Sequence, residues 1–170
     1  MLEGVVQIVC PHCDHDNRIP RVRLGKAPPC VACRGALFEG RPEPLDDERR
    51  FNKHVRHSDI PVLAIFHAAW SADSNTVRSA FEQAAPQIEP YARLASVDSA
   101  VVPALTERLK VVRYPTLLFL HHERELARST GAMNFAQLLA WARPVIAGVV
   151  GRTALLSSTG DNRLGSSPRG

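Results

Sequence analysis

The sequence predicts an α/β fold with a central mixed sheet flanked by helices, and one strand and one helix carry most of that prediction. The apolar run at residues 61–66 is typical of a central strand buried on both faces. After Trp70 the apolar spacing becomes helical, and one helix face is formed by Val77, Ala80, Phe81, Ala84 and Ile88. Between these segments, Ser71, Asp73 and Ser74 favour a helix N-cap. A strand, a tight turn and a capped helix are half of a crossover unit, which is the repeating part of an α/β sheet.

Patterns along the rest of the chain continue the alternation of helices and strands. Before the central strand they predict a strand near Leu37 and a helix from Asp46 or Asp47 to about His57. After the first long helix they predict a strand at 92–98, a helix from Pro103 to about Leu109, strands at 117–120 and 125–130, and a helix carrying Phe135, Leu138, Leu139, Ala142, Val145 and Ile146. Gly131 closes the hairpin made by the last two strands. This order predicts helices on both faces of one sheet.

All four cysteines lie near the N-terminus, in two C-x-x-C pairs separated by 16 residues. Each pair forms a turn that presents two thiolates, and two such turns complete the tetrahedral sulfur site typical of a zinc ribbon. We therefore expect one structural zinc ion per chain, bound by Cys10, Cys13, Cys30 and Cys33. Redox disulfides or inert thiols are the alternative interpretation. Residues 1–40 contain few apolar side chains, so metal binding is expected to supply most of the folding free energy of this module.

Two histidines lie beside the first cysteine pair. His12 and His15 are expected to be exposed bystanders, because four thiolates already complete a zinc coordination shell. After this module, the proline-bearing segment at 40–45 marks a boundary, and the main domain is predicted to span residues 41–150. Residues 151–170 are rich in Gly, Ser and Arg and are predicted to form a disordered tail.

Composition argues against several classes of partner. The chain has a formal net charge of +4, spread along its length, which does not favour a nucleic-acid interface. No apolar run approaches the ~20 residues of a membrane span. The first residues lack the basic and apolar regions of a signal peptide, so a cytoplasmic protein is expected.

The segment around Trp70 carries a family resemblance. In the thioredoxin family the central strand ends in W-C-x-x-C, and here Ser71 and Ser74 occupy the two cysteine positions. Tyr114, Pro115 and the following threonine resemble the family's x-P-T motif, in which the proline follows a cis peptide bond. Together with the four-cysteine module, the chain resembles the bacterial thioredoxin 2 class. The resemblance implies a thioredoxin fold with a small N-terminal zinc ribbon.

Other positions depart from the family in the same region. Ile65 stands where the family usually has a buried aspartate, Asp73 where it has proline, and Ser96 where it has lysine. A site without thiols no longer needs a proton relay, and the residues of that relay are absent as well. This agreement favours natural loss of the redox pair; engineered replacement of both cysteines by serine is the alternative.

The resemblance also implies a binding surface. In family members Trp70, Tyr114, Pro115 and the loop at Gly131 form a shallow apolar groove that holds extended peptide; ordinary rim or core aromatics are the alternative. The leading hypothesis is a non-catalytic chaperone or adaptor that binds unfolded or extended polypeptide segments, or a specific protein partner. The competing hypothesis is a protein-disulfide reductase whose redox groups are the zinc-module thiols, or whose active-site cysteines were replaced. A serine hydrolase built on Ser71 or Ser74 is not favoured, because no nucleophile elbow surrounds either residue.

Overall fold

The computed structural model describes residues 4–158, which form two sheets, four α-helices and one short 3-10 helix. The strands are β1 (Val5–Val9), β2 (Asp16–Pro20), β3 (Glu43–Pro44), β4 (Val62–His67), β5 (Arg93–Asp98), β6 (Thr116–His121) and β7 (Arg124–Thr130). The α-helices are α1 (Glu48–His57), α2 (Ala72–Ile88), α3 (Pro103–Arg108) and α4 (Phe135–Ser158). The 3-10 helix spans Arg21–Lys26 and follows β2 directly.

The main sheet has the strand order β3-β5-β4-β6-β7. Strands β3 and β4 each pair parallel with β5, whereas β6 pairs antiparallel with β4 and with β7. The predicted mixed sheet flanked by helices is therefore confirmed. Strands β1 and β2 form a separate antiparallel hairpin that belongs to the N-terminal module.

The alternating side chains of β4 divide the hydrophobic core into two layers. Leu63 and Ile65 point to the side covered by α2 and α4, where they pack with Phe81 and Phe119. Val62, Ala64 and Phe66 point to the opposite side and pack with residues of α1 and α3. Since every residue of β4 is buried, the continuous apolar run predicted this central position correctly.

Two expectations about the sheet and the last helix are corrected. Near Leu37 the described chain forms only an isolated bridge, because this leucine packs into the N-terminal module and not into the main sheet. The first strand of the main sheet is β3, whose Pro44 is tolerated at a sheet edge. Helix α4 continues through Ser158, past the predicted start of the tail at 151. The remainder of that predicted tail, 159–170, lies outside the described residues.

No helix between residues 4 and 158 combines the length and apolarity that a bilayer crossing requires.

Candidate metal centre and peptide groove

The two C-x-x-C turns adopt the same local backbone geometry. In the first turn the Asp14 N–H donates to the Cys10 carbonyl at 3.1 Å, and in the second the Arg34 N–H donates to the Cys30 carbonyl at 3.0 Å. Asp14 and Arg34 both have left-handed backbones, with φ of 57° and 67°. Each turn therefore ends in the tight reversal that brings its two thiols to one side.

The four cysteines form one cluster, whose Sγ atoms all lie within 4.8 Å of one another. Cys10 Sγ lies 3.6 Å from Cys33 Sγ, and Cys13 Sγ lies 3.7 Å from Cys30 Sγ. Disulfide bonds are about 2.05 Å long, so these spacings are those of separate thiols around a common centre. The residues fit a four-coordinate metal site with soft sulfur donors.

The pKa values of two thiols in the cluster are shifted in opposite directions. Burial raises the pKa of Cys10 to about 12. Burial also acts to raise the pKa of Cys30, but the N–H groups of Cys33 and Ala32 and the Asn17 side chain outweigh it and lower that pKa to about 6. Because metal ligands are thiolates, this hydrogen bonding favours the ligand form of Cys30.

Neither neighbouring histidine belongs to the cluster found in the described chain. His12 Nε2 lies 3.2 Å from the Ala36 carbonyl oxygen and 3.4 Å from a Glu39 carboxylate oxygen. His15 is exposed. The metal site is thus built from cysteine alone.

The module is attached to the main domain through the first turn. Arg50 of α1 donates to both carboxylate oxygens of Asp14 at 3.0 Å and to the Pro11 carbonyl at 2.7 Å. His54 Nε2 lies 3.2 Å from Asp14 Oδ1, and burial lowers the pKa of His54 to about 4. The side chain of His54 is fully buried, so the contact lies inside the interface.

A buried ion pair strengthens the same attachment. Arg93 of β5 donates to Glu89 at 3.2 Å, to the Leu37 carbonyl at 2.7 Å and to the Val9 carbonyl at 3.4 Å. Glu89 in turn accepts from the Gly40 N–H at 2.8 Å. One guanidinium therefore joins the sheet to two backbone segments of the N-terminal module. This pair was not predicted from the sequence, although an arginine at the start of an apolar strand was the available indication.

A shallow groove lies at the carboxyl end of β4. Trp70 is 80% exposed, and its ring meets Tyr114 edge to face with 5.8 Å between centroids. The groove has a volume of about 470 Å³, and its lining comprises Trp70, Asp73, Val112, Arg113, Tyr114, Thr130 and Gly131. The Tyr114–Pro115 bond is cis, as predicted, whereas Pro115 itself is buried and does not line the groove. Val112, which is 85% exposed, was not singled out from the sequence.

Ser71 caps the helix that begins at the groove, and Ser74 binds the turn that precedes it. Ser71 is the N-cap of α2, and its Oγ accepts from the Ser74 N–H at 3.2 Å. Ser74 is fully buried, and its Oγ accepts from the Ala68 N–H at 3.4 Å. Both hydroxyl groups therefore satisfy backbone donors of the turn and the first helical residues.

The structure does not assemble a serine nucleophile and base. His67 Nε2 lies 3.1 Å from Ser96 Oγ on the neighbouring strand, and burial lowers the pKa of His67. Neither Ser71 nor Ser74 is its hydrogen-bond partner in the described chain. Ile65 is fully buried opposite Ser96 in the β4–β5 register, so an apolar side chain occupies the strand position below the turn.

Comparison with known proteins assigns the family. The thioredoxin family profile matches residues 43–144. Thioredoxin C-3 from Corynebacterium nephridii is 34% identical over 134 residues, which cover 79% of this chain and 91% of that protein. Thioredoxin-1 from Drosophila yakuba is 30% identical over 83 residues, or 48% of this chain and 78% of the fly protein. The chain belongs to the thioredoxin family.

A solved structure supports the same fold. Thioredoxin from Trypanosoma brucei brucei superposes with a TM-score of 0.56 at 23% identity, over 62% of this chain and 90% of that chain. The thioredoxin fold expected from the sequence is confirmed, and a four-cysteine cluster compatible with a structural metal precedes it.

Proposed function

We propose that this protein is a zinc-containing, non-catalytic member of the thioredoxin family that binds extended polypeptide segments. The observation that carries the proposal is that all four cysteines lie in the N-terminal module, while the turn beside Trp70 carries hydroxyl groups. Disulfide exchange needs a thiolate nucleophile and a second thiol to resolve the mixed disulfide. A serine hydroxyl stays protonated near neutral pH and forms no disulfide. Ser71 instead caps α2, and the Ser74 hydroxyl accepts from the Ala68 N–H of the turn.

The metal in this proposal is zinc, with a structural role. Four clustered thiols are the donor set that zinc prefers in closed, tetrahedral structural sites. Cys10 and Cys30 are buried while Cys13 and Cys33 are exposed, so the ion would sit at the edge of the module. When bound, zinc supplies folding free energy to a segment with a small hydrophobic core.

Polypeptide binding is supported by the shape and chemistry of the groove. Trp70 and Val112 expose large apolar surfaces, and Tyr114 supports the indole ring from the side. Asp73 and Arg113 place one charge of each sign on the rim. Exposed apolar surface rimmed by polar groups is typical of protein-binding sites. Such a chaperone or adaptor is expected in the cytoplasm, where free thiols stay reduced.

Reduction of insulin disulfides by dithiothreitol-driven turnover tests the proposal. We expect no activity above background from the metal-loaded protein, and weak activity from the S71C/S74C variant, whose first thiol lies at a helix N-terminus that favours the thiolate. The Ser71→Ala/Ser74→Ala variant is the matched control without thiols. Turnover by the unmodified, metal-loaded protein would overturn the proposal. Full family-level turnover by S71C/S74C would point to a working reductase whose cysteines had been replaced.

A second candidate is a reductase that uses the thiols of the N-terminal module. It is favoured by the exposure of Cys13 and Cys33, which makes two of the four sulfur atoms accessible. In this reaction two module thiols would be oxidised to a disulfide while the substrate disulfide is reduced to two thiols. The insulin assay repeated after chelation distinguishes the candidates, because only this mechanism gains activity on metal loss. A Cys13→Ser/Cys33→Ser variant would abolish that gain.

A further inference from the structure

The N-terminal module carries a cleft of about 280 Å³ that the proposed function does not use. Three arginines line it around an aliphatic floor, and its lining contains no aspartate or glutamate. The lining residues are Arg18, Ile19, Pro20, Arg23, Pro28, Pro29, Cys30, Val31 and Arg34. Val31 is 62% exposed, so the apolar part of the cleft is open to solvent.

The arginines of this cleft have no charge partner in the described part of the chain. Arg18, Arg23 and Arg34 are exposed, and none forms an ion pair or a side-chain hydrogen bond among residues 4–158. Some exposed arginines elsewhere in the described chain are paired, for example Arg56 with Glu123 and Arg128 with Glu125, whereas others such as Arg124 and Arg143 are not, so the cleft differs in holding three unpaired arginines together. The cleft therefore concentrates uncompensated positive charge beside an apolar surface.

The acidic residues described in the module are all engaged away from the cleft. Asp14 binds Arg50 and His54, and Asp16 contacts Lys53 and His57 of α1. Glu39 pairs with Arg41 and His12. These carboxylates contact groups outside the cleft, so none of the acidic residues described in the module compensates the arginines that line it.

Arg34 occupies a backbone position that does not favour it. Its φ of 67° lies in the left-handed region, where Gly and Asn are more stable than a long side chain. The equivalent position of the first turn holds Asp14, whose carboxylate is stabilised by its contacts with Arg50 and His54. Arg34 has no such bond within the described chain, so its side chain is available for a ligand.

We propose that this cleft binds an acidic segment of a polypeptide, with carboxylates on the three guanidinium groups and an aliphatic side chain against Val31 and Ile19. Guanidinium groups bind carboxylates through paired, charge-assisted hydrogen bonds. The lining holds no aromatic ring on which a nucleic-acid base could stack, which favours polypeptide over single-stranded nucleic acid. The choice of a polypeptide ligand rests on the proposed function; the positive charge and apolar floor do not.

Fluorescence anisotropy with the full-length, metal-loaded protein tests the proposal. The probes are a labelled peptide of about 12 residues with alternating Glu and Leu, the same peptide with Lys for Glu, and a labelled oligothymidine of similar length. We expect the acidic peptide to bind more tightly than the other two probes, with an affinity that falls about tenfold in the R18A/R34N variant. Raising the salt from about 50 to 500 mM should weaken that binding strongly.

Two variants serve as matched controls for this experiment. Arg124→Ala removes another exposed arginine, from β7, and should leave the affinity for the acidic peptide unchanged. Trp70→Ala removes the exposed side chain of the groove, so binding that this variant weakens belongs to the groove and binding that only the cleft variants weaken belongs to the cleft. Arg23→Ala provides a second test within the cleft if R18A/R34N folds poorly.

Three results would overturn the proposal. The first is unchanged binding of the acidic peptide in both cleft variants. The second is binding of oligothymidine at least as tightly as the acidic peptide, with loss in the same variants, which would make the cleft a nucleic-acid site. The third is loss of the bound metal from the cleft variants while the peptide affinity of the folded molecules stays unchanged. That result would mean that the arginines stabilise the metal site and do not bind peptide.

Discussion

The two cysteine turns share one backbone geometry but lie in opposite surroundings. The first ends in Asp14, whose carboxylate is held by Arg50 and His54 of the main domain. The second ends in Arg34, which lines a solvent-exposed cleft. The same local motif therefore serves attachment on one side of the cysteine cluster and presents a basic surface on the other. The difference lies in single side chains at equivalent positions, and it can be tested one residue at a time.

Metal removal should have the largest effect, because both turns depend on the four thiols. Structural zinc contributes on the order of 10 kcal/mol to small domains of this type. We expect chelation to unfold residues 1–40 and to leave a cooperative transition of the main domain. That transition should occur at a lower temperature, because Ile60 loses its packing against the module and Arg93 loses its hydrogen bond to the Leu37 carbonyl. Hydrogen exchange read by mass spectrometry before and after chelation would locate the loss.

Elemental analysis provides the control for the metal prediction. One ion per chain is expected in the intact protein, and Cys30→Ser should lose it. Retention of metal at unchanged affinity by Cys30→Ser would show that these cysteines do not form the site. A single transition that vanishes entirely on chelation would show that the module and the main domain cannot fold separately.

The next largest effect should come from breaking the buried ion pair at the attached side. Burial lowers the pKa of Arg93 and raises that of Glu89, so each charge depends on its partner to remain ionised inside the protein. Arg93→Met leaves Glu89 buried without a counter-charge and removes donors to the Leu37 and Val9 carbonyls, and it should cost about 3–5 kcal/mol.

Urea denaturation of the unmodified protein and three variants measures this cost. The R93M/E89Q variant should recover part of the loss, because the neutral amide no longer requires a cation and can still accept from the Gly40 N–H. Arg124→Ala, in the exposed strand β7, should change the free energy of unfolding by less than about 0.5 kcal/mol. Equal stability of R93M and the unmodified protein would mean that the attachment does not depend on this pair.

His54 should make the attached side sensitive to acid. Its pKa is about 4 in the folded protein, against an ordinary value of 6.5, because burial disfavours the imidazolium and nearby Arg93 adds repulsion. The unfolded state thus binds the proton first as the pH falls. Stability is full above about pH 6.5 and is lost progressively between 6.5 and 4, by about 2 kcal/mol between pH 7 and pH 5.

A variant without the imidazole separates this effect from acid release of the metal. His54→Gln keeps a polar contact for Asp14 but has no group that titrates in this range. The difference in the free energy of unfolding between the two proteins, measured at pH 7 and at pH 5 with equal metal content, gives the contribution of His54. A difference that does not change with pH would contradict the depressed pKa.

The sequence predicted the parts of the molecule that depend on local patterns. The buried run of β4, the N-cap at Ser71 and the two cysteine turns each follow from residue spacing within a short segment. The attachment of the module did not, because Arg93, Glu89 and Leu37 are distant in sequence and meet only after both units fold. The strand near Leu37 was wrong for the same reason, since an apolar residue can be buried by the module as well as by the sheet.

The cleft was not predicted from the sequence. Arg18, Arg23 and Arg34 lie in a stretch, residues 17–38, that also contains Arg21 and Lys26 and has no acidic residue, although its basic residues form no continuous run. They become neighbours because the β1–β2 hairpin, the 3-10 helix and the second turn fold around the cysteine cluster. The excess of basic over acidic residues in 17–38 was therefore the available indication of this basic surface.

The smallest expected effects come from substituting Asp14 and Arg34, and they compare the two cysteine turns directly. Asn replaces either turn residue with little backbone strain, because it tolerates the left-handed conformation. Asp14→Asn keeps the size of the side chain but weakens its bonds to Arg50 and His54, and it should cost about 1 kcal/mol of stability. Arg34→Asn removes a side chain without a partner in the described chain, so the free energy of unfolding should stay within about 0.5 kcal/mol or rise slightly. Paired urea titrations of the two variants at equal metal content measure both effects. A larger loss in Arg34→Asn than in Asp14→Asn would reverse the assignment of the attached and free sides.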